Sequence, residues 1–143
     1  FKCKIHIGIT VFQLLHAMRL RRHAAADRDD KLAVLCFEML ILPDRRERLL
    51  LGVLADKDYE TMLARLLPYG KEFICLTPDS PRALGADELC AYLRAKGAPA
   101  VSCDTAAEGV RRALEESGGE TPVVACGSLY LMGEIREAVK SGR

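Results

Sequence analysis

The sequence lacks a charge excess, a long apolar run, paired cysteines and a phosphate loop, and each absence closes off a class of protein. Lys and Arg number 21 against 20 Asp and Glu, a formal charge of +1 over 143 residues. A nucleic-acid footprint needs a strong basic excess on one face, so no nucleic-acid partner is expected. No apolar stretch approaches the roughly 20 residues of a membrane-spanning helix, so no membrane partner is expected either. Cys3, Cys36, Cys75, Cys90, Cys103 and Cys126 lie too far apart in sequence to form a chelating pair. Cys75 and Cys126 sit inside apolar runs, where cysteine acts as a small hydrophobe. All six read as free thiols of a reducing, cytoplasmic protein. The start shows neither an apolar signal region nor a small-residue cleavage site, and no cleavable signal peptide is expected. His6, His16 and His23 fall at no ligand spacing and lie outside the well-patterned region, so no Ser/His/Asp or Cys/His arrangement is suggested. There is no Gly-x-x-x-x-Gly-Lys-Ser/Thr and no Gly-x-Gly-x-x-Gly after a strand, so the chain should not grip a nucleoside triphosphate unaided. No metal ligand and no catalytic side chain is expected in it.

What is present is an ordinary globular composition, 50% hydrophobic and 29% charged. Residues 1–143 read as a single domain, large enough to bury a real core. The clearest stretch is Leu49-Leu50-Leu51-Gly52-Val53-Leu54, which runs into Ala55-Asp56-Lys57-Asp58. A continuous apolar run suits a strand buried on both faces in the middle of a parallel sheet. The charges that follow have an ordinary reading: Asp56 caps a helix, Asp58 favours the positive end of its dipole, and Lys57 is solvated.

From there strands and helices alternate. A helix is expected from Asp58 to Leu67, a strand from Phe73 to Leu76 and a helix from Ala86 to Lys96. A short strand at Val101-Ser102-Cys103 leads, through Asp104-Thr105, to a helix ending at Glu116. A last strand runs from Pro122 to Cys126, and a final helix to about Val139. Upstream, Ile5, Ile7, Ile9 and Val11 alternate like a strand, and Phe12 to Arg22 and Leu32 to Leu42 are helix candidates. Strand–helix alternation with short connections implies right-handed crossovers and an α/β, doubly wound, mostly parallel sheet with helices on both faces, a Rossmann-like fold.

In such a sheet three post-strand loops can converge on one edge: Asp56-Lys57-Asp58, Asp79-Ser80-Pro81-Arg82 and Gly127-Ser128-Leu129-Tyr130. Pro78 and Pro81 stiffen the middle one and present Arg82, whose guanidinium suits bidentate binding of a carboxylate. The ordinary alternative is a surface arginine paired with Asp79. Ser128 stands at a helix N-terminus, where anions are favoured, or is simply an N-cap.

Together the loops bring a family into view. Leu51-Gly52-Val53-Leu54-Ala55-Asp56-Lys57-Asp58, Thr77-Pro78-Asp79-Ser80-Pro81-Arg82-Ala83-Leu84 and Gly127-Ser128-Leu129-Tyr130-Leu131-Met132-Gly133-Glu134-Ile135-Arg136 occur in one reading order. Residues 50–139 thereby resemble the C-terminal domain of folylpolyglutamate synthase/dihydrofolate synthase, a branch of the Mur ligase superfamily. The resemblance implies an ATP-dependent carboxylate–amine ligase that phosphorylates a folate or pteroate carboxylate and lets the amine of glutamate attack the acyl phosphate. It implies ATP and Mg2+, with the phosphate loop and metal ligands in an N-terminal ATPase domain that this chain lacks, so the chain alone should be inactive. It implies a substrate-binding role for Arg82, which matches the arginine of the Asp-Asn-Pro-Arg loop of related Mur ligases, with Ser80 in place of the Asn. Ser128 and Tyr130 match a Gly-Ser-Leu-Tyr segment lining the same cleft, and Asp56 and Lys57 match a further substrate-binding loop to which the resemblance assigns no individual roles. The family's Asp-Gly-Ala-His-Asn-Pro segment has no counterpart: residues 20–30 read Leu-Arg-Arg-His-Ala-Ala-Ala-Asp-Arg-Asp-Asp. The competing reading is a stand-alone Rossmann-like binding or interaction module without catalysis. In an excised domain, Leu131, Met132 or the helix candidate at 32–42 would be exposed.

Overall fold

The computed structural model describes residues 5–7, 47–118 and 123–141. The helix candidates at 12–22 and 32–42, the remainder of the first strand candidate, His16 and His23 lie outside them. Strands β1 (Ile5–Ile7), β2 (Glu47–Gly52), β3 (Gly70–Cys75), β4 (Ala100–Ser102) and β5 (Val123–Gly127) alternate with helices α1 (Tyr59–Leu66), α2 (Ala86–Ala95), α3 (Ala106–Ser117) and α4 (Leu129–Ser141). A short 3-10 turn, Leu67–Tyr69, holds Pro68 and delivers the chain into β3. The sheet order is β1-β5-β2-β3-β4, and every pairing is parallel.

The apolar run sits where its composition requires. Leu49, Leu50 and Leu51 are fully buried in the central strand. The side-chain period of two sends Leu49 and Leu51 to one face, with Phe73, Cys75, Val124 and Cys126, and sends Leu50 to the other, with Ile74, Leu76, Val123 and Ala125. The first face is covered by Met62, Leu63 and Leu66 of α1 and Leu89, Cys90 and Leu93 of α2. The second is covered by Ala106, Val110 and Ala113 of α3 and Leu131, Met132 and Ile135 of α4. Both faces being covered is why β2 shows no polar alternation. Burying each of these leucines stabilises the fold by about 1.5–3 kcal/mol. The buried thiols belong to the same cores: burial pushes Cys75 far above the usual thiol range and Cys126 up to about 12. The four described cysteines are free.

Helix starts follow local chemistry, with one correction to the sequence reading. Asp58, not Asp56, caps α1: its Oδ1 accepts from the Thr61 amide at 3.3 Å. Asp56 is thereby left for a different partner. Thr105 caps α3, accepting from the Glu108 amide, while the Glu108 carboxylate accepts from the Asp104 amide. Gly118, at φ +59, stops that helix in the left-handed conformation.

At the amino edge of the sheet Arg48 of β2, Glu72 of β3, and Arg112 and Glu116 of α3 form one network. Its contacts are Arg48–Glu72 at 3.2 Å, Arg48–Glu116 at 3.4 Å, Arg112–Glu72 at 3.6 Å and Arg112–Glu116 at 3.0 Å. Burial alone would raise the Glu72 carboxyl, but hydrogen bonds to Glu116 and Arg48 and the charge of Arg112 outweigh it and hold it below the usual range. Glu116 goes the other way, raised by its hydrogen bond to Glu72 and by burial. Glu72 therefore contributes stability above the unfolded carboxylate range and loses it as pH falls through its lowered folded value. The contribution of Glu116 is largest in acid and fades as pH rises through its raised folded value. At pH 7, Glu72→Gln is expected to lower the melting temperature by roughly 3–5 °C, about 1 kcal/mol, and the deficit should shrink toward pH 4. Thermal melts of the parent and of Glu72→Gln across pH 4–8 check the trend.

Candidate functional site

The winding of the sheet fixes where the loops meet. From β2 the chain steps outward through β3 to β4, with α1 and α2 on one face. It then returns to the other side of β2 as β5, with α3 and α4 on the opposite face. Strand order thus reverses between β2 and β5, and ligands of open α/β sheets bind outside the carboxyl ends of strands at such a switch point. Those ends are Gly52 and Gly127, which are register partners. Gly127 has φ +116, and a Cβ there would stand 2.1 Å from the Gly52 carbonyl oxygen. A Cβ on Gly52 would lie 2.7 Å from both Leu131 Cδ2 and the Leu76 oxygen and 3.1 Å from Pro78 Cγ. The chain leaving β3 and the start of α4 therefore pack against one side-chain-free point at the end of β2.

Hydrogen bonds tie the loops together at that edge. Beyond β2, residues 53–55 lie alongside 82–84: the Ala55 amide donates to the Arg82 carbonyl (2.8 Å), and the Leu84 amide donates to the Val53 carbonyl (3.0 Å). Leu54 and Ala83 form an antiparallel bridge. This pairing places the Arg82 side chain beside Asp56, with Nη1 to Oδ2 at 3.0 Å. The ordinary alternative of an Arg82–Asp79 pair is not what the fold makes. Both Arg82 and Asp56 are well exposed, at 50% and 43%, so the pair contributes little stability and leaves guanidinium donors facing solvent. Lys57 is half-buried in the same turn, and no ion pair engages its ammonium group among the described residues. Ser128 is 3% exposed. Its amide donates to the Gly52 carbonyl at 2.8 Å, and its Oγ accepts from the Tyr130 amide at 3.3 Å. Ser128 is thus an N-cap of α4 as well as a member of this edge. Tyr130 is 52% exposed and stands beside Leu129 at 56%. Leu131 and Met132, expected at the surface of an excised domain, are buried instead. The register of α4 turns Leu129 and Tyr130 outward.

Two residues that the sequence reading did not single out hold the edge in place. Thr77 Oγ1 accepts from the Ala86 amide at 2.9 Å and caps α2 from a distance, where Gly85 offers no side chain. Glu134 Oε1 accepts from the Asp79 amide at 2.9 Å across the switch point. Neither had a local signal, because each partner is remote in sequence or lies across a loop. Among the described residues, no group of three His, Cys, Asp or Glu side chains could hold a metal ion, so the donor set does not fit one. No described helix is long and apolar enough to cross a membrane.

A doubly wound parallel α/β domain with its loops gathered at the switch point is the class that fold and site define. No family model and no curated protein matches the chain. Among solved structures, folylpolyglutamate synthase/dihydrofolate synthase enzymes, the family its three loop segments resemble, share its fold. The E. coli FolC structure in complex with ADP, without folate substrate, is 28% identical, with TM-score 0.63, covering 77% of this chain and 26% of that one. The Yersinia pestis bifunctional enzyme complexed with AMPPNP and Mn ion is 23% identical, with TM-score 0.64, covering 78% and 26%. A bifunctional enzyme with Mn, AMPPNP and L-glutamate bound is 24% identical, with TM-score 0.54, also covering 78% and 26%. The chain spans about a quarter of the length of these structures.

The two glycines differ sharply from a third in the same region. Gly127→Ala is expected to destabilise by about 2–4 kcal/mol, through an unfavourable φ and a backbone clash, and to lower the melting temperature by roughly 10 °C. Gly133, inside α4 with open space around it, should tolerate alanine and gain up to about 1 kcal/mol. Calorimetry of the two variants side by side checks the contrast.

Proposed function

We propose that residues 1–143 form the C-terminal, glutamate- and ATP-side domain of an ATP-dependent ligase that adds glutamate to a folate or dihydropteroate carboxylate. In this reading the reaction runs through an acyl phosphate, and the amine of glutamate displaces phosphate to leave an amide. The observation that supports it most is the gathering of the three family-like segments around Gly52 and Gly127 at the switch point. Arg82 binds the carboxylate of the incoming glutamate: its backbone is fixed by pairing with residues 53–55, and Asp56 engages one end of its guanidinium. Lys57 adds a compact positive charge to the same rim. Tyr130 and Leu129 present an aromatic and an aliphatic surface toward the cleft. Ser128 shapes the turn beneath them and keeps a hydroxyl proton to donate.

The remaining parts belong to an N-terminal ATPase domain outside this chain. In this reading that domain supplies the phosphate loop and the Mg2+ ligands. The division of labour is one of positioning: two anionic substrates and a nucleotide are held together while water is kept out. The chain alone is inactive in this reading, and a reducing cytoplasm suits its buried free thiols.

The test is glutamate-dependent ADP release by the chain joined to the N-terminal domain of a folylpolyglutamate synthase. Arg82→Ala should raise the glutamate KM tenfold or more and change kcat less, since a charged hydrogen bond contributes about 1.5–3 kcal/mol. Unchanged glutamate kinetics in that variant would remove the carboxylate anchor. A joined protein that folds, binds nucleotide and shows no glutamate-dependent turnover would favour a non-catalytic binding module.

A further inference from the structure

We propose that Glu134 is a positioning residue: a latch across the switch point that fixes the Arg82 loop relative to the α4 end carrying Ser128 and Tyr130. Its role in glutamate binding rests on the ligase reading above, but the latch itself does not.

The argument starts from what the 78–81 segment can donate. Pro78 and Pro81 have no amide hydrogen, so only Asp79 and Ser80 carry one. The Ser80 amide is consumed locally by the Pro78 carbonyl at 2.8 Å, and the turn closes on itself through Ala83 to the Ser80 carbonyl and Arg82 to Ser80 Oγ. The Asp79 amide is thus the one backbone donor of the segment left to bond outside it, and it goes to Glu134 Oε1 at 2.9 Å, 55 residues away in sequence. On its other flank the loop is fastened to the extension of β2 by the Ala55–Arg82 and Leu84–Val53 bonds. Those bonds set Arg82 against Asp56 but say nothing about α4. The Glu134 bond is the hydrogen bond that joins the arm grown from β3 to the helix grown from β5. Glu134 lies one turn beyond Tyr130 on α4, so the latch fixes the spacing between Arg82 and the exposed face of that helix.

Two variants separate a latch from a merely structural glutamate. Glu134→Gln keeps a carbonyl acceptor, whereas Glu134→Ala removes it. In the full chain, amide hydrogen exchange at Asp79 should quicken at least tenfold in Glu134→Ala and stay within about threefold of the parent in Glu134→Gln, with the Leu50 amide of the central strand unchanged in both. In the joined ligase, Glu134→Ala should raise the glutamate KM about three- to tenfold with kcat within twofold, and Glu134→Gln should restore it. Unchanged exchange at Asp79 in Glu134→Ala, or equal quickening at Leu50, overturns the latch. Quickened Asp79 exchange with an unchanged glutamate KM overturns its positioning role. If the unmodified joined ligase shows no glutamate-dependent ADP release, the ligase reading fails, and the exchange measurements still decide the latch.

Discussion

The carboxyl edge of the sheet depends on a close backbone approach, made where two paired strands end without side chains. The Gly52 carbonyl accepts from the Ser128 amide at 2.8 Å, and any Cβ on Gly127 would stand against that same carbonyl. Much of the carboxyl edge follows from it. Only with both positions empty can β2 and β5 stay in register to their last residue while Leu131 and Pro78 close in from either side. Ser128 can then begin α4 at once, and the loop after β3 can lie within reach of that helix. Steric room is the governing constraint here, and charge is arranged afterwards within the space it leaves.

The two edges of the sheet divide the electrostatic work differently. At the amino edge Arg48, Glu72, Arg112 and Glu116 neutralise one another in a closed, partly buried set, which fastens α3 to the sheet. At the carboxyl edge Arg82 has only the exposed Asp56, and Lys57 has no ion pair among the described residues. Charges that are satisfied internally stabilise a fold. Charges held in place but left partly unmet are what a ligand needs.

Much of the architecture was legible in the sequence because its signals are local or periodic. The triple leucine run, the helix ending at Leu67 and the helix that starts beyond Asp104-Thr105 each state their structure within a few residues. The α/β winding followed from the alternation alone, and the resemblance to folylpolyglutamate synthase/dihydrofolate synthase is matched by fold in the solved structures. What the sequence concealed depends on distance. Nothing near Asp56 says that its partner is Arg82, 26 residues on, or that the cap of α1 therefore falls to Asp58. Nothing near Glu134 points to Asp79. The outward register of Leu129 and Tyr130, with Leu131 and Met132 inward, was likewise hidden, because four adjacent apolar residues carry no period of their own.

Thr77 carries a consequence of another kind. Its hydroxyl caps α2 from the far end of the connection, while the pairing of 53–55 with 82–84 pins the stem, so the segment between is closed off from the helix it leads into. The loop is therefore held at both of its ends, and the start of α2 is fixed by Thr77 whatever the residues between 78 and 81 carry on their outer side.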